Sequence, residues 1–277
     1  VTETIDSRGC PVIHTDYTVE RPLHETCTLL DSDRARAPFL LNDSRKTPFW
    51  MVTEYEHVIE ALQMPEVFGN EVLSALTPEH TIDLLPQYLN PPEHTTMRRV
   101  LNRWFSPAAV RRLEPQVLSR CIELIEELKP SGGCDLVADF AIRFPTDMFL
   151  ATLNLPASDG PEFLFWVEKI FRGFAGRDLD EAAKAVVWIR GYFGRAIDDR
   201  RAQPRDTETD FISRMLVSKL DGVPISDEDI ITICLTLMAA GLDTTRAALG
   251  YIFQHLASDP DLRHRLTANP ELWPKAV

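Results

Sequence analysis

The chain has 277 residues, 44% hydrophobic and 26% charged, an ordinary globular composition that excludes disorder, collagen-like repeats and a disulfide scaffold. Forty-two acids against 29 bases leave a net charge of −13, so the bulk field repels nucleic acid. Five cysteines (Cys10, Cys27, Cys121, Cys134 and Cys234) are scattered without a CxxC or other metal spacing, which reads as free thiols of a reducing cytoplasm.

The start, Val1 to Pro11, has no basic-then-apolar run, so neither a secretory signal nor an anchor is expected. Pro48 to Thr53 is rich in β-formers and predicts a strand, followed by a short helix over Tyr55–Gln63. From Val67 to Pro92 the pattern dissolves around four prolines, and a loop of that length reads as a functional lid. After it nearly everything reads helical. Pro92–Phe105 opens on a proline. Pro107–Leu128 follows, with Val110, Leu113, Val117, Cys121, Leu124 and Leu128 on one stripe. Further helical pattern covers 135–154, Pro161–Phe174, Leu179–Arg201 and Asp210–Lys219.

The strongest element begins at the capping box Ser226/Asp229 and runs to about Ala257, some ~45 Å of helix. Between Ile230 and Ala257 only Asp243 and Arg246 carry formal charge, which predicts a helix buried on all sides. Its longest uncharged stretch, Ile230 to Leu242, is thirteen residues, short of the ~17–25 a bilayer needs, so no membrane span is expected. Short helices follow at Asp259-Pro260 and Asn269-Pro270.

At the centre of that helix lies Ala239-Ala-Gly-Leu-Asp-Thr-Thr245. A glycine there costs about 1 kcal/mol against alanine, and Asp and Thr are poor interior helix formers. Gly241 lets another group approach the backbone. Thr244 lies three residues on, and its hydroxyl can return to the carbonyl of Ala240. Asp243 is an acid in an apolar setting. The run suits a helix that holds a small polar ligand and passes it protons. The competing reading is a packing glycine beside an Asp243–Arg246 ion pair. A second constellation, His94-x-x-x-Arg98, puts a histidine and an arginine on one face, a two-point grip for a carboxylate. A surface histidine beside a solvated arginine is the plainer alternative.

His94-x-x-x-Arg98 with Phe105-Ser-Pro107, and Ala240-Gly-Leu-Asp-Thr-Thr245, resemble two signature helices of the cytochrome P-450 haem-thiolate monooxygenases, in their soluble bacterial form. Phe49-Trp-Met-Val-Thr53 with Tyr55-Glu-His-Val58, Asp210–Leu216, Leu256–Pro260 and Asn269–Leu272 fit the family in order. The resemblance implies a mainly α fold with a small N-terminal β region and a long buried central helix. It implies one domain over 1–277, divided into an α/β region over 1–68, a lid-like loop over 69–91 and a helical region over 92–277. It further implies a haem b whose propionates are held by His94 and Arg98, a dioxygen groove flanked by Ala240 and Gly241, Thr244 as hydrogen-bond partner of the bound oxygen, and Asp243 as proton relay.

The family's Glu-x-x-Arg helix and its Phe- and Gly-rich cysteine loop have no counterpart here. The 277 residues therefore look like the N-terminal and central portion of a longer protein, without the axial thiolate. The expected activity is insertion of one oxygen atom from dioxygen into a small hydrophobic substrate. The alternative is a helical ligand-binding or regulatory protein, or a non-catalytic relative without thiolate-haem chemistry. In the family, Gly69–Leu85 and the helix bearing Phe163, Phe165, Trp166, Phe171 and Phe174 roof the substrate, although core packing explains the aromatics equally well. Arg98, Arg99, Arg103, Arg111 and Arg112 fall in a window with no acid, which suits docking of an acidic partner; the resemblance implies that this partner is a small acidic ferredoxin. The competing reading pairs these arginines with acids such as Glu114 and Glu123.

Overall fold

A computed structural model describes residues 5–6, 8–71, 83–174 (Phe174 by its backbone only) and 178–276. Residues 72–82 of the lid-like loop, the turn before Asp178 and the side chain of Phe174 lie outside the described residues. The chain forms two compact units, Val1–Arg98 with Lys169–Val187 and Arg99–Glu168 with Trp188–Val277.

In the first unit, β1 (Val12–Ile13), β2 (Phe39–Asn42) and β3 (Phe49–Val52) form a sheet in that order, with helix α1 (Leu23–Arg34) between β1 and β2 and α2 (Tyr55–Leu62) after β3. β1 runs parallel to β2, and β3 antiparallel to it with Leu40 opposite Met51. The expected strand and α2 are present; β1, β2 and α1 were not expected. Ile13 and Leu40 are fully buried. Asn42 is buried with them and survives because its Nδ2 donates to the Thr15 carbonyl at 3.0 Å. Asp33 of α1 is tied to the same stretch, accepting from Thr15 Oγ1 at 2.8 Å and from the Tyr17 hydroxyl at 2.6 Å. Burial and that carboxylate together hold the Tyr17 phenol well above its ordinary range.

Helix α3 (Glu93–Leu101) is shorter than expected. The amides of Trp104 and Phe105 both turn back to the Leu101 carbonyl, and Ser106 is extended before Pro107, as a residue preceding proline prefers. Ser106 then caps α4 (Pro107–Leu128) by accepting from the Ala109 amide at 3.2 Å.

The second unit is helical. A π-turn at Val137–Ala141 leads into α5 (Arg143–Thr152), and α6 (Gly160–Phe174), α7 (Leu179–Ala202) and α8 (Phe211–Val217) follow, the end of α6 from Lys169 and the start of α7 to Val187 being counted with the first unit. The hairpin of β4 (Lys219–Leu220) and β5 (Val223–Pro224) turns at Asp221-Gly222, both with positive φ. This is the backbone a two-residue hairpin loop requires. Then come α9 (Asp227–Ser258), α10 (Pro260–Ala268) and α11 (Trp273–Ala276). Asp210, expected as the first helical residue of α8, is instead its N-cap and accepts from the Ser213 amide at 2.8 Å. Its other oxygen meets the buried Arg200, which also donates to the Asn154 carbonyl at 2.9 Å.

Two expectations are corrected. The α4 stripe is not a buried face: Leu124 is fully buried, but Val110 is 54% exposed and Leu113, Val117, Cys121 and Leu128 are half-buried. The reason is that α5 and the π-turn cover only part of α4. Helix α9 packs against α5, α8, α10 and the π-turn and is mostly buried from Ile230 to Leu242, with Ala240 exposed, but from Asp243 onward its side chains are half-buried or exposed. An apolar composition states what a helix prefers to bury; the neighbours present decide what is covered. By length and composition α9 could cross a membrane, but half of its apolar window is buried inside the protein.

Candidate functional site

The middle of α9 forms the wall of an apolar cavity of about 440 Å³ in the second unit, within the ~300–1,000 Å³ usual for small-molecule sites. Leu237, Ala240, Gly241 and Thr245 line it from α9, Leu113 and Val117 from α4, and Phe144 to Leu153 from α5. A methyl group built on Gly241 would meet no atom within 4 Å. The glycine is therefore not a packing residue; it faces open space.

The two polar residues beside it are bonded within the helix. The Thr244 hydroxyl donates to the Ala240 carbonyl, and its own side chain is exposed. Asp243 pairs with Arg246, with 27% of its side chain exposed. The ion pair of the plainer reading is thus formed, while the packing glycine is not. Sequence reasoning missed Thr245, which borders the cavity four residues after Gly241; the i,i+4 spacing carried that signal. It also missed Phe105, Met148 and Phe149, whose convergence depends on how α4 and α5 meet α9.

His94 and Arg98 lie one turn apart on α3, in the first unit, His94 half-buried and Arg98 exposed. Neither forms an ion pair among the described residues. Arg99, Arg103, Arg111 and Arg112, in the second unit, are all exposed and unpaired with any acid among the described residues. Glu123 is bonded to Arg120 at 2.9 Å rather than to this cluster. Arg112 also borders a second cavity of about 350 Å³ with Trp104, Gln116 and Glu208. The aromatic residues of α6 pack as core in part: Phe163 is fully buried and meets Phe149, Trp188, Tyr192 and Phe193 edge-on.

The haem-thiolate centre that the resemblance implies needs a cysteine thiolate, and none of the five cysteines lies in the Phe- and Gly-rich loop that the family uses. Cys234 is wholly buried on α9, and burial pushes its thiol far above the usual range. Burial also raises Cys121. Cys27 and Cys134 are exposed, and Cys10 is half-buried. Among the described residues no group of three or more His, Cys, Asp or Glu side chains is placed to hold a metal ion. The residues present fit a haem only in part: Gly241 leaves open space beside an apolar cavity, and no described cluster is placed to hold a metal.

The family model described as Cytochrome P-450 matches residues 146–271. Over 256 residues the chain is 26% identical to the putative cytochrome P-450 YjiB of Bacillus subtilis, covering 89% of this chain and 62% of that protein. It is 28% identical to cytochrome P-450-terp of a Pseudomonas species, covering 83% and 60%. The crystal structure of CYP109E1 from Bacillus megaterium in complex with testosterone superposes with a TM-score of 0.77 at 26% identity, covering 89% of this chain and 64% of that one. The chain thus spans about three fifths of the length of these relatives. By sequence, by family model and by fold, this chain matches the cytochrome P-450 superfamily in its bacterial form.

Proposed function

We propose that these residues form the oxygen-side groove, the propionate grip and the electron-partner face of a haem-dependent monooxygenase whose axial thiolate comes from outside the 277 residues. The observation that carries the reading is Gly241, which opens a buried helix onto an apolar cavity. With haem b present, the cofactor would supply oxygen activation. His94 and Arg98 would hold its carboxylates, Ala240 and Gly241 would leave room for dioxygen, Thr244 would offer a hydroxyl and Asp243 a carboxylate for proton delivery. A small hydrophobic substrate suits the Phe- and Met-lined wall, in keeping with the steroid in the related structure. The exposed arginines Arg99, Arg103, Arg111 and Arg112 suit an acidic ferredoxin, and a cytoplasmic setting suits the free thiols.

A second reading rests on the cysteines. With Cys234 held as a neutral thiol, the 277 residues alone act as a helical ligand-binding module without thiolate chemistry. Haem titration followed by a carbonyl difference spectrum tests both readings. The enzyme reading expects no thiolate-type red-shifted Soret band from this chain, and that band from a polypeptide that adds the missing ligand. A polypeptide with the added ligand that binds no haem ends the enzyme reading.

A further inference from the structure

The second unit contains a stacked run of oxidisable rings with no role in the oxygenase chemistry. Trp166 of α6 lies nearly parallel to Trp188 of α7, with ring centroids 5.8 Å apart at 21°. Trp188 in turn lies 5.4 Å from Tyr192 at 31°. Phe163, fully buried, meets Trp188 and Tyr192 edge-on at 5.4 and 4.7 Å and fixes both rings. The two ends of the run differ chemically. The Trp166 indole N–H is buried and has no hydrogen-bond partner. The Tyr192 hydroxyl donates to Asp159 Oδ2 at 2.6 Å.

From that asymmetry we propose that Trp166, Trp188 and Tyr192 form a one-electron relay that drains oxidising equivalents to a tyrosyl radical at Tyr192. The oxidant is a strong one-electron acceptor, a peroxyl radical or an oxidised metal complex by class. It takes one electron from the Trp166 ring. The resulting indole radical cation has no base to receive its proton, so it keeps its charge and is refilled by an electron from Trp188. Trp188 is refilled by Tyr192. There the O–H bond breaks: the electron goes to Trp188, the proton moves along the hydrogen bond to Asp159, and a carboxyl O–H bond forms. Arg195 places its guanidinium 5.9 Å over the Tyr192 ring. A positive charge there disfavours a phenol radical cation, so loss of the proton accompanies loss of the electron. A one-electron reductant such as ascorbate restores the phenol, with Asp159 returning the proton.

The first unit supplies a matched control. Tyr17 donates to Asp33 at 2.6 Å, the same phenol–carboxylate pair, but among the described residues no tryptophan stacks on its ring. The 277-residue chain is flashed with ruthenium tris-bipyridine and persulfate, and radicals are read by electron paramagnetic resonance and by spin-trap adducts located by mass spectrometry. The expected result is a tyrosyl signal with its adduct at Tyr192 in excess of Tyr17. Trp188→Phe should abolish the excess at Tyr192 and leave Tyr17 unchanged. Trp166→Phe, at the half-buried outer end, should do the same without altering the centre of the stack. Asp159→Asn should replace the tyrosyl signal with a tryptophan one. Equal adducts at Tyr17 and Tyr192, or an undiminished Tyr192 adduct in both tryptophan variants, would overturn the relay. Neither outcome depends on haem, so this test and that of the oxygenase reading fail separately.

Discussion

Replacing Gly241 with alanine separates a glycine kept for packing from one kept for the space in front of it. In the interior of α9 the substitution removes a conformational cost of about 0.5–1 kcal/mol. A methyl group at position 241 would touch nothing within 4 Å, so no clash offsets that gain. The net expectation is a stabilisation of about 0.5–1 kcal/mol, roughly a two- to fivefold slower opening of the helix. Gly173 supplies the opposite case: a Cβ there would overlap the Cβ of Ala182, and overpacking costs about 1–3 kcal/mol. Hydrogen exchange of peptides from α9 measures the first effect locally, and urea unfolding places both variants on one scale. Gly241→Ala should slow exchange, while Gly173→Ala should lower the urea midpoint. The same methyl group narrows the 440 Å³ cavity, so an apolar probe such as testosterone should bind Gly241→Ala more weakly. Unchanged or faster exchange in Gly241→Ala would refute the claim that the helix sacrifices stability for an opening there.

Asp210 is fully buried, pairs with Arg200 and caps α8; Asp210→Ala removes the buried one of the two carboxylates on Arg200, Asp199 at 3.2 Å being the other, together with the cap, and should cost about 3 kcal/mol in urea unfolding. Asp227→Ala, which breaks the exposed pair with Arg201, should cost no more than about 1 kcal/mol. Burial and a neighbouring carboxylate raise both Tyr17 and Tyr192 above the ordinary phenol pKa, so these two neutral phenols contribute stability that is fully present below about pH 10 and is lost as pH rises through their folded values. In an alkaline absorbance titration these two phenols should therefore ionise only above the ordinary phenol range, together with unfolding. Arg103→Glu and Arg112→Glu should each weaken binding of an acidic ferredoxin at low salt, and the difference should shrink as the Debye length falls from ~10 Å at 0.1 M to ~3 Å at 1 M salt; binding indifferent to salt and to both reversals would place the partner elsewhere.

What could be read from the sequence was local. The start of α4 was legible because Ser106-Pro107 is both a cap and a first-turn proline, and the start of α9 because Ser226 and Asp229 bond to each other. β1 and β2 were not legible, because two to four residues are too few to show an alternation, and their pairing joins segments almost thirty residues apart. The β4–β5 turn did carry its signal in Asp221-Gly222. Its flanking strands of two residues each gave no hydrophobic pattern to accompany it. Burial was the least legible property. The apolar stripe of α4 and the second half of α9 have the composition of covered faces, but covering depends on α5, α8, α10 and the π-turn, which reach only part of each helix.

The same distinction sorts the residues of the candidate site. In the run Ala239–Thr245, the helix itself accounts for two of the costly choices: Asp243 has Arg246, and the Thr244 hydroxyl has the Ala240 carbonyl. Neither bond exhausts its group. A threonine hydroxyl that donates to a carbonyl still has lone pairs to accept from a ligand, and a carboxylate offers more acceptor sites than one guanidinium uses. Gly241 is different, because no contact within the fold repays its cost. A residue that weakens a core helix and touches nothing is explained by what enters the space beside it, and that space is an apolar cavity walled by Phe105, Met148 and Phe149. The functional reading therefore rests first on Gly241 and on Thr245, which shares its face, and extends to Thr244 and Asp243 as the polar groups a ligand would meet one turn further along.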